Sequence, residues 1–110
     1  MDKYEEEELK ARILGERDMF AYYLEEVLAN NLIENPVALG IARLIIDKGA
    51  EGLTDKQWYT FLRHGVGAIN YVPQCRRDYE QIPWEEMLLA VHIEEDDLCG
   101  YCRHKEEKGE

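Results

Sequence analysis

The sequence predicts a mainly α protein, a small bundle of three to four helices with a zinc-knuckle-like module at its C-terminal end. Three observations lead there. Apolar residues recur at three- and four-residue spacings through the first two-thirds of the chain. Capping residues and glycines bracket those runs. All three cysteines fall after position 74, two of them as Cys99-x-x-Cys102. With 110 residues, 45% of them apolar, the chain has material for one modest core. The bundle is expected over 1–70 and the module, packed on it, over 71–106.

Residues 3–30 read as one long helix. Leu9, Ile13, Phe20, Leu24 and Val27 form its apolar stripe, with a skipped turn at Glu16 and Arg17, and Asn30 and Asn31 are its stop signals. "ENPVALGIARLIIDKG" is a second helix: Asn35 caps it, Pro36 suits its first position, and Gly49 can take the left-handed conformation after Lys48. Val37, Ile41, Leu44 and Ile45 are its expected buried face, and Gly40, costly inside a helix, suggests a closely packed neighbour. In "LTDKQWYTFLRHG", Thr54 and Gln57 make a capping box, Leu53 and Trp58 a hydrophobic staple, and Gly65 the expected end. "VGAINYVPQC" reads as an extended link, and "IPWEEMLLAVHI" as a short helix presenting Trp84, Met87, Leu88 and Val91. Trp84 is expected in the core; on the surface it would mark a partner anchor.

The formal net charge is −11 and the acids come in blocks. Such a field repels phosphate backbones, so direct nucleic-acid binding is disfavoured, whereas basic protein surfaces attract it. Glu25, Glu26, Glu85, Glu86, Glu94, Glu95, Asp96 and Asp97 are the candidate partner-facing residues. The plainer alternative is a solvated polar face that keeps a helical protein soluble. No apolar run approaches the ~20 residues needed to cross a bilayer. The acidic start, "MDKYEEEELK", is unlike a secretory signal, so a cytoplasmic location is expected. Three cysteines, an odd number without an export signal, argue for metal or free thiols over disulfides.

Zinc takes four ligands in a tetrahedron, commonly as two pairs whose two-residue gap turns both side chains toward one point. Cys99 and Cys102 make one pair. Cys75-x-x-Asp78 makes the other, with a carboxylate in place of the second thiolate. His104 is the alternative fourth ligand, and His92 a further rival; three reduced thiols without metal is the competing reading.

"CRRDYEQIPWEEMLLA…DDLCGYC" resembles a CxxCxxxIPWxEMxxA…LCxYC pattern of small bacterial and prophage proteins without a known activity. It resembles, more loosely, the C-terminal zinc finger of the DksA/TraR regulators. Cysteine stands in both patterns where Asp78 stands here. The likeness covers residues 75–104, and for the first group extends to "LIENPVALGIARLIIDKG" and "GLTDKQWYTF". The first group implies a zinc-bearing helical protein. The second implies docking on RNA polymerase, although its finger rides on a long antiparallel coiled coil for which this chain has no signature.

Signs of catalysis are sparse. The chain has no serine, which removes a serine triad, and "HGVGAI" lacks the spacing and lysine of a phosphate loop. Glu94 to Asp97 lack the calcium-loop spacing. "AVHIEEDDLCGYCRHK" is faintly similar to an HNH nuclease, with His92 in the catalytic place, but the separation is too short. The expectation is therefore a non-enzymatic acidic interaction protein. It would be a phage or mobile-element inhibitor, anti-CRISPR-like, that blocks or mimics nucleic acid on a basic host surface. An RNA-polymerase-binding regulator is the alternative, and a degenerate HNH-like nuclease the third reading.

Overall fold

A computed structural model describes residues 2–109, apart from the side chain of residue 68. Helices α1 (Lys3–Gly15), α2 (Arg17–Ala29), α3 (Pro36–Lys48) and α4 (Asp55–Phe61) form the bundle, and the short α5 (Gly67–Asn70) completes it. Helices α6 (Trp84–Leu88) and α7 (Gly100–Glu107) belong to the C-terminal part. Among the described residues strand structure is limited to one antiparallel bridge, Gln74 to Gln81. No described helix is long and apolar enough to cross a membrane. The fold class is the one the periodicity predicts.

The expected single helix over 3–30 is two, bent at Glu16, whose dihedrals (φ −125°, ψ 45°) leave the helical region. The hydrogen-bond ladder survives the bend: Glu16 N–H donates to the Arg12 carbonyl and Phe20 N–H to the Glu16 carbonyl, both at 2.9 Å. Gly15 next to it resists a dihedral change least. The bend lets Leu9 and Ile13 on α1 and Phe20, Leu24 and Val27 on α2 all reach the core. Asn30 caps α2, and Asn31 follows in the left-handed region (φ 54°).

Local capping follows the sequence. The Asn35 side chain accepts from Val37 N–H (3.0 Å) and Ala38 N–H (2.9 Å). Thr54 and Gln57 exchange both bonds of the capping box, at 3.1 and 2.9 Å. Packing departs from it in three places. On α3 the buried face is Ala38, Ile41, Ala42 and Ile45, while Val37 is 62% exposed and Leu44 only half-buried. The small alanines let α3 approach its neighbours, which turns the face by one position. A β-carbon on Gly40 would meet nothing within 4 Å, so no close neighbour explains that glycine. Gly65 does not end its helix. After α4 the chain passes through a π-turn, Leu62–Val66, straight into α5, so part of the expected extended link is helical.

Trp84, the first residue of α6, is 1% exposed and lies at the hub of the aromatic core. Its ring is 4.9 Å from Phe20, edge to face, 5.7 Å from Tyr23, stacked, and 5.5 Å from Tyr71. Met87 is buried beside it, and Leu88 and Val91 are half-buried against the core. This cluster ties α2 to the segment that leads from Cys75 to Cys99.

A buried polar node supports the same junction. Asn70 is fully buried and donates from Nδ2 to the carbonyls of Gly65 (2.7 Å) and Leu32 (3.1 Å). That leaves its Oδ1 as the acceptor facing His92 Nε2 at 2.6 Å, so this nitrogen carries the imidazole proton. Tyr23 Oη donates to the Asn70 carbonyl at 2.6 Å. Gly65 lies in one π-turn and His92 in the second, Leu89–Ile93. A π-turn frees carbonyls from the helical ladder, and Asn70 occupies one of them.

Candidate metal centre

The link from α5 reaches Cys75 and then makes a tight turn. Tyr79 N–H donates to the Cys75 carbonyl (3.0 Å), Cys75 N–H to the Glu80 carbonyl (2.8 Å), and Tyr79 sits at φ 63°. The turn brings Asp78 over Cys75, and its neck is closed by the Gln74–Gln81 bridge. Cys99 arrives from the other side as the N-cap of α7, where its sulfur accepts from Cys102 N–H at 3.5 Å. One ligand atom each from Cys75, Asp78, Cys99 and Cys102 lies within 4.8 Å of every other.

These four residues could hold a metal ion. A tetrahedral ion with sulfur at about 2.3 Å and oxygen at about 2.1 Å needs S···O edges of about 3.5 Å. Asp78 Oδ2 stands 3.5 Å from Cys99 Sγ and 3.2 Å from Cys102 Sγ. Asp78 is presented as a one-oxygen ligand, because Oδ1 is engaged by Glu80 N–H at 3.0 Å. The three sulfurs are buried whereas Asp78 is exposed, so the carboxylate forms the outer side of the site.

The electrostatics fit a cation. Burial pushes the Cys75 thiol up, but the backbone N–H groups of Asp78, Cys99 and Arg77 aimed at it prevail and bring it below the free-thiol value. Burial raises Cys99 and pushes Cys102 up to about 12, aided for Cys102 by its bond to Asp78. Asp78 is held low, first by Glu80 N–H and then by the Cys102 thiol. Three sulfurs and a carboxylate this close favour protons on the two raised thiols, and a divalent ion would take their place.

The other residues singled out in the sequence divide. His104 is exposed on α7 and outside the four-residue group. His92 serves the Asn70 node. Of the acids, Glu86 and Asp96 are engaged within the fold. Glu86 Oε1 accepts from Gly100 N–H, which fixes the Cys99–Cys102 turn. Asp96 holds Arg103 through two bonds of 2.8 and 2.9 Å and also accepts from Leu98 N–H. Arg103 in turn donates to the Leu98 carbonyl, so the pair clamps the approach to Cys99. Glu25, Glu85, Glu94, Glu95 and Asp97 are exposed and Glu26 is half-buried.

Arg12 is the residue the sequence reading missed. It is buried, with its guanidinium carbon 4.3 Å over Trp84 and 5.8 Å from the Tyr71 ring, and Nη2 donates to the Ile82 carbonyl at 2.5 Å. The available signal was position, since Arg12 shares the helix face of Leu9 and Ile13.

The class these features define is a small helical protein with a four-residue Cys/Asp cluster at its C-terminal end. The chain matches no protein-family model, no curated protein and no solved structure.

Proposed function

We propose that the chain is a non-enzymatic interaction protein, in which a zinc-stapled helical scaffold displays carboxylates to a basic protein surface. Zinc suits the donor set, because thiolates select it and four protein ligands complete its shell. A full shell leaves no position for substrate, which favours a structural ion over a catalytic one. The observation that carries the partner reading is the net charge of −11 together with exposed Glu25, Glu85, Glu94, Glu95 and Asp97, which make no ion pair among the described residues. A surface that ordinarily holds DNA or RNA is the basic partner that this charge suits. Occupying it would inhibit the nucleic-acid-handling complex by block or mimicry, the role of a phage or mobile-element inhibitor.

The test is capture from bacterial lysate on the tagged protein, washed from about 50 mM to about 500 mM salt. A nucleic-acid-handling protein that elutes as salt rises, and that free DNA competes away, supports the reading. Capture indifferent to salt overturns the charge-led mechanism, and recovery of RNA polymerase subunits would transfer the case to a transcription regulator.

A further inference from the structure

A cavity of about 450 Å³ lies between α1 and the neck of the Cys75 turn, lined by Glu5, Glu8, Arg12, Tyr71, Gln74 and Gln81. Glu5 and Glu8 supply exposed carboxylates, neither with an ion-pair partner among the described residues. Gln74 and Gln81, exposed and joined by a backbone bridge, both line the cavity. Tyr71 is half-buried, with Trp84 5.5 Å from its ring. Arg12 is buried and held by Ile82, Glu16 and the two rings, so it is partly neutralised and fixed in place.

We propose that this groove receives an arginine side chain and its adjoining main chain from the basic partner. The inference rests on the interaction reading above and names where the contact centres. The distribution of charge selects the occupant. A guanidinium pairs with the exposed carboxylates of Glu5 and Glu8 through charge-assisted bonds. Arg12 keeps a second cation away from its own position, but its guanidinium has more donors than its present partners use, and a peptide carbonyl accepts from those. The Gln74 and Gln81 amides each offer a donor and an acceptor, which matches the alternation of an extended peptide backbone. Bundle and metal turn contribute one side each, so the groove is complete only when the turn is formed.

The experiment follows amide and side-chain resonances of the full zinc-loaded chain as acetyl-Gly-Arg-Gly-amide is added, with the citrulline analogue as the uncharged control. Shifts concentrated at Tyr71, Gln74, Gln81 and Arg12 with the arginine probe, and weak with citrulline, are expected. The E5Q/E8Q variant should weaken binding about tenfold, as loss of two charged contacts implies, while E34Q/D47N, at exposed acids away from the groove, changes it less than about twofold. Gln81→Lys, which adds a cation to the groove, should weaken it as E5Q/E8Q does. Absence of shifts at millimolar probe, equal shifts with citrulline, or equal effects of E5Q/E8Q and E34Q/D47N overturns the proposal. If E5Q/E8Q still captures a partner with wild-type salt sensitivity, the groove is wrong while the acidic interaction reading stands.

Discussion

The Arg12 guanidinium carbon lies 4.3 Å over the ring of Trp84, and the same group donates to the carbonyl of Ile82. One buried cation from α1 thus holds the segment that links the first cysteine to α6. A desolvated cation–π contact contributes about 1–2 kcal/mol and a charged hydrogen bond about 1.5–3 kcal/mol, not fully additive.

Arg12→Ala is therefore expected to destabilise the chain by about 2–4 kcal/mol in chemical denaturation. Arg12→Lys should recover less than half of that, because an ammonium cannot donate to Ile82 and cover the indole with the same planar fork.

Asn70→Leu removes the partner of two carbonyls and of His92 together, at a cost of about 3 kcal/mol. His92 adds a pH dependence. Burial lowers its pKa below the ordinary value of 6.5, against an opposing pull from Glu95. The unfolded chain then takes up the proton first. The contribution is complete above the unfolded value and declines as pH falls through 6.5 toward the lower folded value. Denaturation at pH 7.5 and 5.5 should show a stability loss that shrinks in His92→Gln.

Two glycines should respond in opposite directions. Gly40 is exposed in the interior of α3 with nothing near a β-carbon, so Gly40→Ala is expected to stabilise by about 1 kcal/mol. At Gly65 a β-carbon would come within 2.8 Å of the Phe61 ring, which is fully buried and cannot yield. Gly65→Ala should cost about 1–3 kcal/mol, read by thermal melting of both variants.

Metal loading should release protons. Cys99 is raised and Cys102 lies near 12, so both are protonated at neutral pH, whereas Cys75 is lowered. Titration calorimetry of zinc into metal-free protein, in buffers of different ionisation enthalpy, should show at least the two protons of Cys99 and Cys102 leaving at pH 7 and affinity rising with pH. Asp78→Ala should weaken zinc about tenfold or more, and Asp78→Cys should restore it.

Much of the fold was legible because it is local. The Thr54–Gln57 box, the Asn35 cap and the stripe from Leu9 to Val27 need only neighbours in sequence, and they are as read. Each half of the group, Cys75-x-x-Asp78 and Cys99-x-x-Cys102, was legible for the same reason, since each gap fixes its own turn. What was hidden depends on distant partners. Arg12 is buried because Trp84 and Ile82, some seventy residues away, receive it. The π-turn at Gly65 exists where Asn70 takes up a freed carbonyl. Glu86 and Asp96 look like surface charge until Gly100 and Arg103 are folded against them, and the α3 face shifts because Ala38 and Ala42 admit neighbours that Val37 would hold off.

The centre of this account is the proposal that an ion joins Cys75, Asp78, Cys99 and Cys102, and metal analysis of the purified chain addresses it most directly. Protein isolated without added metal should carry about one zinc per chain, and chelator should remove it with loss of ordered signal from the Cys75 turn and α7. Metal-free protein that keeps those segments ordered, unchanged by added zinc, would contradict it.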